Sequence, residues 1–236
     1  MLAQAAMEAR LMLRNGEQLL LAVVIPVVVL VGAVQGSERV GISFDDPMVD
    51  VITPGVLALA VMSTSFTSLA IATGFERRYG VLKRLGTAPL SRAALLGGKI
   101  GALFAVELLQ FAVIGAVGFS LGWAPTLQVA GLLLTLLLGT AAFASLGLLL
   151  AGALRAEATL AAANLVYLLL MAGGAVVLPA SAYGDLGTAM TWLPSGALGE
   201  AMRSACDGAL PWRDLAVLTG WAGLGSLLTA RTFRWE

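Results

Sequence analysis

Six long apolar runs alternate with shorter polar stretches along the chain. They cover residues 19–34, 51–73, 93–121, 129–154, 160–178 and 215–230. A helix needs about 20 predominantly apolar residues to cross the hydrocarbon of a bilayer. The pattern therefore predicts an all-α membrane protein with six transmembrane helices. Pro26 falls inside the first run, which a spanning helix tolerates because neighbouring helices satisfy the freed carbonyl.

Four stretches lie outside the runs. In residues 1–18, Leu2, Ala6, Ala9 and Leu13 share a stripe, with Glu8 and Arg10 off it. That spacing predicts an amphipathic interfacial helix lying along the inner membrane surface. Residues 35–50 read as an acidic outer loop. Residues 74–86 have a helical pattern: Glu76, Arg77, Lys83 and Arg84 fall on one arc, and Phe75, Tyr79, Leu82 and Leu85 on the other. Arg78 breaks the apolar arc, so it snorkels or finds an acidic partner. Gly86 is the expected C-terminal stop, Pro89 follows, and Ser91 is the expected N-cap of the third span. Residues 179–212 form a longer, semi-apolar outer segment. Within it Ser195–Cys206 can be helical, with Leu198, Ala201, Met202 and Ala205 on one face and Pro194 at the start. One or two short helices dipping into the outer leaflet, or a plain surface loop, both fit that segment.

Composition agrees with a membrane protein and narrows the chemistry. The 236 residues are 59% apolar and 12% charged, with a mean hydropathy of +0.92. There is no His and one Cys, Cys206, so no disulfide framework or thiolate–imidazole metal site is expected. The net charge is zero, and nucleic acid is not an expected partner. Twelve Arg against two Lys, with abundant Ala, Leu and Gly, suit a GC-rich bacterial genome. No cleavable signal peptide is expected, since no small-residue cleavage site follows the first run.

The charges also set an orientation. Eleven of the fourteen basic residues fall on the N-terminus, the 74–99 loop, the turn at Arg155 and the C-terminal tail. Arg39, Arg203 and Arg213 fall on the other side, together with eight of the acids. The positive-inside rule then predicts a multi-pass protein of a bacterial inner membrane with both termini cytoplasmic. The basic loop itself has two readings. It can set topology and meet anionic headgroups, or carry a short helix that docks into a cytosolic partner.

Its residue order favours the second. "FERRYGVLKRLGTAPLSRAALLGGK" resembles the signature of ATP-binding-cassette type-2 permeases, the membrane subunits of type V exporters, including the daunorubicin-resistance type of drug efflux permease. Glu76, Arg77, Gly80, Leu82 and Leu85 match the family's first segment; Pro89, Leu90, Ser91, Arg92 and Lys99 match its second, with Ala88 where Thr is common. "WLPSGALGEAMRSA" is similar to a further family element, with Leu193 in place of a common Asn. The resemblance extends over the whole chain. It implies that residues 74–86 are a coupling helix seated in an ATPase subunit, with Phe75, Glu76, Arg77, Arg78, Tyr79, Gly80, Leu82, Lys83, Arg84 and Leu85 as coupling residues. It implies two copies of a cytoplasmic ABC ATPase, which carry ATP and Mg, and a second permease half, most simply a copy of this chain. The chain itself binds no cofactor in this reading: "LLGGKI" lacks the first Gly and the hydroxyl of a phosphate loop.

Polar residues inside the runs are the candidates for a substrate path. Glu107 lies near the middle of the third run with Gln110 one turn on. A carboxylate there costs about 2.5–3.5 kcal/mol on insertion scales, so it must face protein or water, or carry its proton. It can form a wall of the path that favours cationic or hydroxyl-bearing cargo, or tie its helix to a neighbour. Asn164 and Tyr167, one turn apart in the fifth run, have the same two readings. The second run crowds Ser63, Thr64, Ser65, Phe66, Thr67 and Ser68 together. Small hydroxyl residues permit close approach, which makes this stretch the expected dimer seam or path. Gly97/Gly101 and Gly118/Gly122 are further candidates for close packing.

Three function classes compete. The resemblance implies an exporter permease that moves a drug, antibiotic or lipid, or alternatively a lipid-linked glycan or other cell-envelope component. Short outer loops suit a small amphiphile. An enzyme is not expected, because the chain lacks His, a Cys cluster and an intramembrane carboxylate pair. A secondary transporter would show an inverted repeat, and none is visible.

Overall fold

A computed structural model of the chain describes residues 16–40, 47–81 and 92–232. Every regular element among them is helical: α1 (Gly16–Val40), α2 (Met48–Arg78), α3 (Arg92–Ser120), α4 (Val129–Ala153) and α5 (Ala156–Gly173). A 3-10 stretch, Ala180–Leu186, then leads to the one-turn α6 (Gly187–Met190), α7 (Pro194–Cys206) and α8 (Trp212–Thr232). By length and composition α2, α4, α5 and Gly97–Ser120 of α3 can cross a membrane; Val23–Gly36 of α1 is apolar but shorter. The remaining expected span lies on α8.

α2 is the centre of the bundle. It packs against α1, α3, α4, α5 and α7, and every residue from Ile52 to Met62 is buried. In a bilayer no hydrophobic force draws helices together, so close approach depends on small residues. Gly147 of α4 lies against the backbone of Phe66, where a Cβ would come within 2.8 Å of the Phe66 carbonyl oxygen. Gly74 of α2 lies against Thr159 of α5, and Gly118 of α3 against Thr53. Midway along α2, Ser63–Ser68 form a π-helical turn. Widening the helix there frees carbonyls, and the hydroxyls answer them locally: Ser65 Oγ donates to the Val61 carbonyl at 2.5 Å.

Several expectations shift. α1 runs on to Val40 and α2 starts at Met48, so the expected outer loop 35–50 narrows to 41–47, of which 41–46 lie outside the described residues. The interfacial helix lies outside them too, except Gly16–Gln18, which belong to α1. The fifth run, expected at 160–178, is helical from Ala156 and stops at Gly173. Ala175 has a left-handed φ of 53°, and residues 175–178 are unwound.

Arg203 explains how unwound backbone is kept there. This buried guanidinium donates to the carbonyls of Ala175, Val176, Val177 and Leu178 at 3.0–3.3 Å and to Glu200 Oε1 at 3.2 Å. Glu200 Oε1 also accepts from the Ala180 amide at 2.8 Å. Buried carbonyls without helical partners thus find donors. The helix that carries Arg203, α7, has the expected Pro194 start and buries Leu198, Ala201, Met202 and Ala205.

Candidate functional site

The Arg78 end of α2 is a junction of three other helices. Arg77 donates to the carbonyls of Gly152 at 2.6 Å and Leu154 at 2.7 Å, which are left open at the end of α4. Glu76 accepts from Lys99 of α3 at 2.6 Å. Arg78 pairs with Glu157 in the first turn of α5, the second of the two outcomes its position allowed. Tyr79 stacks on Phe75 with ring centroids 6.1 Å apart and is 65% exposed. The helix ends there: Tyr79 is its C-cap and Gly80 takes the left-handed φ of 68° that closes a helix without a Cβ clash.

This corrects the expected helix 74–86. Gly74–Arg78 are the end of α2 rather than the start of a separate helix, and α2 stops at Gly80; the expected stop at Gly86 lies outside the described residues. Glu76 and Arg77 turn inward, to α3 and α4, because open carbonyls and a lysine lie there. Among the described members of the set Arg78 and Tyr79 are exposed, and Val81 beside them is exposed as well. Leu82, Lys83, Arg84 and Leu85 lie outside the described residues.

At the level of the π-helical turn the candidate path residues divide in two. The first group is interior. Glu107 is fully buried and accepts from Thr140 of α4 at 2.8 Å; its other carboxyl oxygen has no hydrogen-bond partner among the described residues. Gln110 is fully buried and accepts from Thr64 of α2 at 3.0 Å. Ser65 is buried, and Phe66 meets Phe143 of α4 edge to face at 6.3 Å. These residues tie α2, α3 and α4 together across the middle of the bundle. Of the two readings of Glu107, the geometry is that of the helix tie.

The second group reaches the surface of the chain. Ser63 and Tyr167 are half-buried neighbours. Asn164, one turn before Tyr167, is exposed, as are Leu165, Leu168 and Leu169 of the same helix. α5 buries only Ala156, Thr159 and Ala163. Half of Ser63–Ser68, namely Thr64, Ser65 and Phe66, is buried where the turn packs against α3, α4 and α5, whereas α5 leaves a broad face with Asn164 on it uncovered.

Three residues of these constellations escaped the sequence reading, and Lys99 stood there only as a motif match without its partner. Thr140 looks like one more small residue in an apolar run and Glu157 like a surface charge. Arg203 carried a usable signal: a basic residue in a helix whose other faces are apolar, three positions after Glu200.

A family described as ABC-2 family transporter protein has a sequence model that matches residues 20–230. Neither the curated proteins nor the solved structures yield a match.

Proposed function

The chain belongs to the ABC-2 transporter family, and on that premise we propose that it is the membrane-spanning subunit of an ATP-driven exporter of a hydrophobic or amphipathic small molecule. In this reading ATP and Mg belong to a separate cytoplasmic ABC ATPase, present in two copies. The protein crosses a bacterial inner membrane six times with both termini in the cytoplasm.

The end of α2 carries the proposal. Tyr79 and Arg78 project from a helix end that Glu76, Arg77 and Arg78 bind to α3, α4 and α5. A load applied just beyond Gly80 is shared among four helices, as an ATPase-driven permease requires. The open face of α5 supports a second copy. Asn164 would otherwise meet lipid, and polar groups within a span belong against protein or a water-filled path. With Asn164 covered by the partner, Ser63 and Tyr167 beside it would line a path between the two halves.

The test is purification of the tagged chain from native membranes, with the associated proteins identified. An ABC ATPase should co-purify, and in lipid discs its hydrolysis should rise with some members of an amphiphile panel. Recovery of the chain without any such ATPase would overturn the reading.

A further inference from the structure

A groove runs down the outside of α8, away from every candidate residue discussed above. It has a volume of about 430 Å³, inside the ~300–1,000 Å³ range of small-ligand sites. Arg213, Ala216, Val217, Gly220, Trp221 and Leu224 line it, a stripe at the spacing of a single helix face. Trp192, from the segment after α6, forms the opposite wall. The floor is apolar and left open because Ala216 carries only a methyl and Gly220 no side chain.

The groove is closed at one end by a fixed cation. Arg213 donates to Thr191 Oγ1 at 2.7 Å and lies over the Trp192 ring, 5.3 Å from its centroid. Trp221 donates its indole N–H to the Trp192 carbonyl at 2.9 Å, which sets the second ring. Arg213 forms no ion pair with a carboxylate among the described residues. Its neighbour Asp214 is buried on the side of α8 that also buries Leu215 and Leu218.

The dimensions and the chemistry fit one occupant. Arg213 to Leu224 spans eleven residues, or about 16 Å of helix, which is half of a ~30 Å hydrocarbon core and so the depth of one leaflet. Tryptophans mark the level of the headgroups: Trp192 lies against Arg213 at that end, and Trp221 stands about two turns further in. We propose that this groove binds an anionic glycerophospholipid, its phosphate on Arg213 and one acyl chain laid along Ala216, Gly220 and Leu224. The leaflet is the outer one, a point that rests on the orientation proposed above.

Native mass spectrometry of the purified full-length chain tests this. The chain is titrated with phosphatidylglycerol, with phosphatidylcholine of the same acyl chains, and with inorganic phosphate. One phosphatidylglycerol adduct is expected, retained in preference to phosphatidylcholine. Arg213→Gln should weaken it by about tenfold, the loss of one charge-assisted contact. Gly220→Leu should abolish it by filling the floor; a Cβ there meets nothing within 4 Å, so this variant keeps its fold, as a matching thermal midpoint would verify. Equal retention in all three chains, equal binding of the two lipids, phosphate binding that survives Gly220→Leu, or a dimer that forms on this face in place of an adduct would each overturn the proposal. No ATPase or cargo enters the assay, so its failure leaves the permease reading untouched.

Discussion

Arg203→Ala tests whether the unwound stretch after α5 is held by a single side chain. The wild-type guanidinium makes five contacts of 3.0–3.3 Å, four to carbonyls and one to Glu200. They are shared between two nitrogens, so they amount to two or three full hydrogen bonds. Bonds to a charged group contribute about 1.5–3 kcal/mol each, and removing one partner of a buried charged set costs about 3–5 kcal/mol. Alanine leaves the carbonyls of Ala175–Leu178 without a donor in a site too tight to admit much water: Gly199 packs so closely there that a Cβ on it would lie 2.7 Å from the Val176 oxygen. The expected loss is about 3–5 kcal/mol. At roughly 2–4 °C per kcal/mol for a chain of this size, the thermal midpoint in a fixed detergent should fall by about 6–20 °C. Arg203→Lys keeps the charge but not the planar fork and should recover only part of the loss. Glu200→Gln keeps an acceptor for both Ala180 and Arg203 and should be milder than either. An Arg203→Ala midpoint within about 2 °C of wild type, or a lysine variant equal to wild type, would refute the argument.

The other predictions follow from the same packing. Gly55→Val should destabilise strongly, because a Cβ on Gly55 would collide with the Val177 carbonyl oxygen; Gly32→Val, which meets nothing within 4 Å, should leave the midpoint within about 0.5 kcal/mol of wild type, and thermal unfolding compares the two. Glu107→Gln retains an acceptor for Thr140 and should preserve both the midpoint and transport, whereas Glu107→Leu orphans the Thr140 hydroxyl and should cost about 1–2 kcal/mol; a transport-dead Glu107→Gln with an unchanged melt would show that the carboxylate touches cargo. Arg77→Ala should lower the midpoint, since two carbonyls lose a charged donor worth about 1.5–3 kcal/mol each. Tyr79→Ala should leave the midpoint nearly unchanged but weaken stimulation of the partner ATPase, because Tyr79 is largely exposed; the reverse pattern would move the contact surface from Tyr79 to the inward-facing Arg77.

Element order was legible because hydrophobic length and capping are local. The starts of α3, α4 and α7 and the helical character of Pro194–Cys206 all follow from runs, Pro and Gly positions that the chain carries in place. What was not legible is non-local. The fifth run reads as apolar through Leu178, so hydropathy extends the helix to that point; the chain unwinds after Gly173 because a guanidinium some 28 positions later takes its carbonyls. The basic cluster after the second run reads as one amphipathic helix because Glu76, Arg77, Lys83 and Arg84 share an arc. Nothing local reveals that Arg77 faces the open end of α4, or that Glu76 finds Lys99 across the loop. The same cause divides the candidate path residues. A hydroxyl-rich turn and a mid-span carboxylate look equally functional in sequence, and only their partners separate them. Thr140 and Thr64 claim Glu107 and Gln110 for the interior, while Asn164 is left on an uncovered face. A buried polar group with its hydrogen bond made inside the chain serves helix association; an uncovered one in a span requires something further to meet it. That difference, rather than polarity itself, is what the proposed second half and path rest on at α5.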